Sequence, residues 1–202
     1  MGLEWLNNRS WLDISREERL FCAHLYFDIK GKEKKFVKWL SNELKSLKCN
    51  PDADWEVGFE VCFYRDYLFE KRYKIREYNK KLSDENNKKY SEKRTFDLCL
   101  FSDEQIIIME AKAQQGFEVK QMKSFKDDKM DVSNILKGNG NTVGVNLIGI
   151  CSSVYCNNLK QYGNQNILNP FDGVITWKDI SSAKMFQRNE NIYKKADELY
   201  KK

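Results

Sequence analysis

Asp97, Glu110 and Lys112 are the residues whose types and spacing carry chemistry in this 202-residue chain. They lie in two apolar runs, Phe96-Asp97-Leu98-Cys99-Leu100-Phe101 and Ile106-Ile107-Ile108-Met109-Glu110-Ala111-Lys112, joined by the polar turn Ser102-Asp103-Glu104. Both runs read as strands, and the turn makes them a hairpin. Side chains alternate faces along a strand, so Glu110 and Lys112 share a face with Ile106 and Ile108. If Phe101 pairs with Ile106, Asp97 falls opposite Glu110, with Cβ atoms roughly 4.5–5.5 Å apart. A bulge or an odd loop would move Asp97 to the other face. Like charges facing each other in a strand pair are destabilising unless something compensates. A hard divalent cation is the natural compensator, because carboxylate oxygens suit Mg²⁺; Lys112 would add a donor and a positive charge beside it.

Asp97 followed by Glu110-Ala111-Lys112 resembles the signature of the PD-(D/E)XK nuclease superfamily, the restriction-endonuclease-like fold. The surrounding order is similar too: an initial helix, a strand, the carboxylate hairpin, a helix and an apolar strand, over about residues 15–153. Phe96 stands where the motif has proline. The resemblance implies that Asp97 and Glu110 bind Mg²⁺ (Mn²⁺ substituting) with the Ala111 carbonyl. It implies that Lys112 orients or helps deprotonate the attacking water and stabilises the charged transition state. Members often add a glutamate from the first helix to the metal site; Glu18 is the candidate here and Glu17 the fallback, because helical phase does not separate them. Glu18 is also the last residue of a capping box, Ser15-Arg16-Glu17-Glu18, and that alternative stays open. Gln121, with Phe125 four residues on, resembles the helical glutamine of an exonuclease-like branch, where it would touch substrate near the metal. The implied activity is a Mg²⁺-dependent nuclease acting on phosphodiester bonds, most naturally in DNA. The alternative is a non-catalytic domain of the same fold that binds nucleic acid or a protein partner.

These residues need a scaffold, and hydrophobic spacing predicts one. Helices are expected over about 16–29, with Leu20, Phe21, His24, Leu25 and Phe27 available for burial, over 33–47, and over 117–136. A strand is expected from Trp55 to Phe63 and others at 96–101, 105–113, 143–151 and 174–177, with a polar C-terminal helix at 191–201. The lysine- and asparagine-rich segment at about 70–93 reads as a basic insertion, a long loop with a helical first half. The fold class expected is therefore α/β, a central mixed sheet flanked by helices in one domain over 1–202, and the resemblance implies that its core is restriction-endonuclease-like. His24, alone among Leu20, Phe21 and Leu25, reads as a packing residue rather than a base.

Charge and composition narrow the partners. The formal net charge is +5, and the stretch from Tyr64 to Arg94 holds 11 Lys and Arg against 6 Asp and Glu, so the whole excess lies there. It also holds Tyr64, Tyr67, Tyr73, Tyr78 and Tyr90. Positive charge attracts phosphates and aromatic rings stack on bases, which suits nucleic acid; the plainer reading is a solvated basic loop. The helix carrying Lys120, Gln121 and Lys123 is the second candidate for a binding face. No apolar run approaches the roughly 20 residues of a membrane span, so no membrane partner is expected. No leader pattern opens the chain, and six cysteines without a C-x-x-C fit a reduced, cytoplasmic setting rather than a zinc or disulfide scaffold. A homodimer would be the simplest way to cut both strands of a duplex.

Overall fold

The computed structural model describes residues 4–86 and 89–200. Chain order runs α1 (Trp11–Ile14), α2 (Glu18–Ile29), α3 (Glu33–Glu43), β1 (Glu56–Val61), α4 (Phe63–Glu70), α5 (Ile75–Asn86), β2 (Phe96–Phe101), β3 (Gln105–Ala111) and α6 (Val119–Gly138). It continues β4 (Gly144–Cys151), α7 (Ser153–Gln161), β5 (Gly173–Thr176), α8 (Trp177–Ser182) and α9 (Glu190–Glu198). The fold is α/β, with a five-stranded mixed sheet in the order β1-β2-β3-β4-β5. The β1–β2 and β2–β3 pairs are antiparallel, and the β3–β4 and β4–β5 pairs parallel. The parallel pairs need crossovers, and α6 and α7 supply them. Among the described residues no helix is long and apolar enough to cross a membrane.

Both faces of the sheet are covered. Strict alternation along β3 sends Ile107, Met109 and Ala111 into one core, with Phe21 and Leu25 of α2, Phe36 and Leu40 of α3, and Trp177. Ile106 and Ile108 point the other way, into a core with Tyr64 and Leu68 of α4 and Met122, Phe125 and Val132 of α6. Burying each such side chain stabilises the fold by about 1.5–3 kcal/mol. This two-sided burial is why β3 reads as a continuous apolar run rather than an alternating one.

Several boundaries differ from those expected, each for a local reason. The helix expected from about Arg16 is α2, which starts at Glu18, with Glu17 extended at its N-cap (φ −72°, ψ 124°). Ser15 Oγ reaches only back to the Glu17 amide, at 3.4 Å, so the S-x-x-E box does not form. Phe27 is 71% exposed, not buried, because the buried stripe of this helix is Phe21, Cys22, Leu25 and Ile29. The second helix stops at Glu43, and β1 stops at Val61, where Phe63 opens α4. The basic insertion carries the expected helical part as α5, which starts at Ile75 and runs on to Asn86, past the first half. Asn87 and Lys88 of that insertion, Met1–Leu3 at the start and Lys201–Lys202 at the end lie outside the described residues.

Candidate active site

The hairpin takes the expected register. Leu98 pairs with Met109, Cys99 with Ile108, Leu100 with Ile107 and Phe101 with Ile106. Ladder pairing ends at Leu98 and Met109 although β2 continues to Phe96 and β3 to Ala111. Asp97 and Glu110 are the next residue on each strand, so the two carboxylates sit where the strands part.

A twist in the neighbouring pair accounts for that parting. Phe59 packs into the core of α2 and α3, whereas Val61, two residues on, packs into the opposite core. Their partners behave alike: Leu98 lies in the first core and Phe96 in the second. Regular strands keep i and i+2 on one face, so both strands turn over between these positions. Glu60 takes up the turn with φ of +51°, a left-handed conformation uncommon outside glycine. Asp97 lies between Phe96 and Leu98, at the same crossing. Its Oδ2 accepts from the Ala111 amide at 2.7 Å, doing the work of a ladder carbonyl.

Glu110 is 4% exposed and points into the core of α6. Its Oε1 accepts from Arg94 Nη2 at 2.8 Å, and Arg94 Nε donates to Asp128 Oδ2 at 2.7 Å. Arg94 also donates to the Thr95 carbonyl and lies over the rings of Phe96 and Phe125. Tyr64 OH completes the chain with a 2.8 Å bond to Asp128 Oδ1. Burial pushes the Glu110 carboxyl up to about 8, with Asp97 and Asp128 adding to the rise while Arg94 opposes it. Burial also raises Asp97, against the lowering effect of the Ala111 amide and Lys112. Burial alone would lower Arg94, but the Glu110 and Asp128 carboxylates more than offset it and hold the guanidinium above its usual range.

Lys112 is pinned at three points. Its amide donates to the Ile150 carbonyl on β4 at 2.8 Å. Its carbonyl accepts from Trp177 Nε1 at 2.9 Å, and its ammonium donates to Glu18 Oε1 at 3.2 Å. Glu18 Oε2 takes the Ala113 amide at 3.0 Å. The residue read either as a helix cap or as a site glutamate thus does no capping; it ties α2 to the end of β3. Glu17 is exposed at the helix start. Gln121 accepts from the Glu118 amide at 3.4 Å in the first turn of α6, and shares no hydrogen bond with Asp97, Glu110 or Lys112.

Hydrogen bonds thus join Glu18 to Lys112 and Ala113, Asp97 to the Ala111 amide, and Glu110 to Arg94, with Gln121 at the start of a neighbouring helix. Among the described residues no three His, Cys, Asp or Glu side chains form a group that could hold a metal ion. The three-carboxylate set of Asp97, Glu110 and Glu18 is not assembled, because both Glu18 oxygens are taken. What the site does offer is a pair: no described residue donates a hydrogen bond to Asp97 Oδ1 or Glu110 Oε2, while the other oxygen of each is anchored. Mg²⁺ takes as few as one or two carboxylates and keeps several waters, so the donor chemistry of these two side chains suits it.

The basic insertion reaches this site through Arg94. A cavity of about 580 Å³ is lined by Lys89, Arg94, Lys120, Lys123, Asp127 and Asp131, among others. The two candidate binding regions, the insertion and the α6 helix, thus border one cleft. The tyrosines contribute less than expected to any surface. Tyr64 and Tyr90 are buried and stack on each other at 4.9 Å, and only Tyr73 of the five is well exposed. Arg94, Asp128, Glu60 and Trp177 carry no recognisable sequence signal. No family model matches the chain, and no curated protein or solved structure matches it.

Proposed function

We propose that the protein is a divalent-metal-dependent nuclease built on a restriction-endonuclease-like core, acting on phosphodiester bonds and most naturally on DNA. The observation that carries this reading is the hairpin register, which puts Asp97 and Glu110 one residue beyond the last ladder pair, with Lys112 fixed by Glu18 just after them. The succession α2, β1, β2, β3, α6, β4, with α3 before β1 and α4 and α5 inserted after it, supports the finer fold reading.

Asp97 Oδ1, Glu110 Oε2 and the Ala111 carbonyl would hold Mg²⁺ or Mn²⁺. A metal so bound supplies Lewis-acid polarisation of a phosphoryl oxygen and lowers the pKa of bound water. Lys112, fixed by Glu18, donates to the attacking water or to the charged phosphoryl oxygens as negative charge develops on them. Glu18 is a positioning residue: both its oxygens are committed, one to Lys112 and one to the chain just after it. Ala111 is held by Asp97 through its amide, which fixes the direction of the peptide units that follow. Lys89, Lys120 and Lys123 border the cleft from which a phosphate backbone would approach.

One observation favours a second reading. Arg94 already bonds Glu110 from within the protein, on a carboxylate that a metal would otherwise engage. In a non-catalytic nucleic-acid- or protein-binding domain, that internal pair would replace the metal. Thermal denaturation with and without millimolar Mn²⁺ separates the two. Metal that binds only the folded state at 100 times its Kd stabilises by about 2.7 kcal/mol. The nuclease reading expects a clear upward shift for the wild type and none for Asp97→Asn. An equal response in both, or no response even with nucleic acid bound, supports the internal pair.

A further inference from the structure

Cys151 is the last residue of β4, and Cys156 lies in the first half of α7. Their sulfur atoms are 3.1 Å apart. A disulfide bond is about 2.05 Å long, so bonding requires the two sulfurs to close by about 1 Å. The approach is built by the backbone. Ser152 caps α7, its Oγ accepting from the Val154 amide at 3.2 Å, and the Cys156 amide donates to the Ser152 carbonyl at 3.1 Å. This turn folds position 156 back over position 151. The C-terminal helix α9 then clamps the turn: Ser152 Oγ donates to the Asp197 carbonyl, and the Ser153 amide donates to the Asp197 carboxylate at 2.6 Å.

The two thiols differ in the way a redox pair requires. Cys151 is fully buried and Cys156 half-buried, so a small oxidant meets Cys156 first. The Cys156 thiol is lowered from its ordinary value, first by its hydrogen bond with Cys151 and then by Lys160 one turn along α7, against burial and the Asp179 and Asp197 carboxylates. Thiolate character and access are what make a cysteine reactive. Cys22 and Cys99 are buried, and burial drives both thiols well up. Cys49 is hydrogen-bonded to Ser41 at 3.0 Å, and no second thiol faces Cys62 among the described residues.

We propose that Cys151 and Cys156 form a redox site at which a hydroperoxide oxidises Cys156 and Cys151 resolves it to a disulfide joining β4 to α7. The Cys156 thiolate attacks one peroxide oxygen. The O–O bond breaks, an S–O bond forms, and the departing oxygen leaves protonated, as water from hydrogen peroxide or as an alcohol. Cys156 is then a sulfenic acid. The Cys151 sulfur attacks the Cys156 sulfur, the S–O bond breaks, the S–S bond forms, and the hydroxyl leaves as water with the Cys151 proton. Two thiols lose two electrons in all, and one peroxide gains them. Exchange with an external dithiol restores both thiols. The site stands independently of the nuclease reading, although it adjoins the strand bond between Ile150 and Lys112.

The test uses the full chain and hydrogen peroxide. Reduced protein is treated with one to a few equivalents, denatured, alkylated with N-ethylmaleimide and digested with trypsin. Both cysteines fall in peptide 138–160. The expected result is that this peptide loses both alkyl groups and is lighter by about 2 Da than its fully reduced form, as a disulfide requires. Dithiothreitol should reverse the change, and Cys22, Cys49, Cys62 and Cys99 should remain alkylatable. In Cys151→Ser, a 1,3-diketone probe should trap sulfenic acid on Cys156 at least about tenfold more than in the wild type, because the resolving thiol is gone. The wild-type peptide measurement decides the matter even if that variant does not fold. A peptide 138–160 that still takes two alkyl groups, or oxidation of Cys49 or Cys62 at the same dose, would overturn the proposal.

Discussion

A carboxyl pushed up to about 8 is the most consequential single group here, and it belongs to Glu110. Its ordinary value is 4.5, so between 4.5 and about 8 the folded state holds a proton that the unfolded state has released. Stability contributed by that protonation therefore falls as pH rises through this window, with a slope of up to about 1.4 kcal/mol per pH unit. Glu110→Gln keeps an acceptor for Arg94 and removes the ionisable group. In metal-free buffer its melting temperature should exceed that of wild type at pH 9, and the gap should narrow towards pH 5. A gap independent of pH would mean that Glu110 titrates normally. The same group sets a condition on the metal, which binds the ionised carboxylate. Apparent Mn²⁺ affinity, read by calorimetry, should rise by up to about tenfold per pH unit below about 8 and then level off. Flat affinity from pH 6 to 9 would show that the metal does not engage Glu110.

At the level of elements, Arg94 is the strap that joins three parts of the chain: the insertion it ends, Glu110 on β3 and Asp128 on α6. Removing one member of a buried ion pair leaves an uncompensated charge and costs about 3–5 kcal/mol. Arg94→Met should lose roughly 3 kcal/mol by urea denaturation, whereas Tyr64→Phe, which removes one bond to Asp128, should lose about 1 kcal/mol. A loss under about 0.5 kcal/mol for Arg94→Met would mean that the pair is solvated. The hairpin is legible in the sequence because the Ser102–Glu104 turn and the apolar runs around it admit one register that buries both faces. The long helix α6 is legible through its apolar spacing. Arg94 is not, since its partners lie 16 and 34 positions away and a lone arginine in a lysine-rich stretch looks like every other surface charge. The reversal of β1 and β2 at Glu60 is equally silent, because a glutamate in the left-handed region leaves no composition signal. Helix α7 escapes the sequence for another reason: its start signal is one serine after an apolar strand, and Ser152 shows itself as a cap only through its bond to Val154.

For the whole molecule, the question is where a polyanion would lie. Lys74 pairs with Glu77 and Arg76 with Glu92, which partly offsets two charges of the insertion. Lys89, Lys120 and Lys123 are exposed and border the cleft beside Arg94. Replacing these three with glutamine should therefore flatten the slope of log K against log salt for duplex DNA more than replacing Lys71, Arg72, Lys74 and Arg76. Every duplex phosphate that the protein no longer neutralises changes that slope by roughly 0.9. The reverse ranking would move the binding face to the outer side of the insertion. The central claim, that Asp97 and Glu110 serve metal-dependent hydrolysis, meets its most direct test in a cleavage assay. Wild type, Asp97→Asn and Glu110→Gln would each be incubated with supercoiled, linear and single-stranded DNA in Mg²⁺, in Mn²⁺ and in EDTA. The account predicts scission by wild type only with metal, and a loss of at least about a hundredfold in both variants, since each removes one metal oxygen donor. Cleavage by Glu110→Gln at the wild-type rate, or none by wild type on any substrate with either metal, would contradict it.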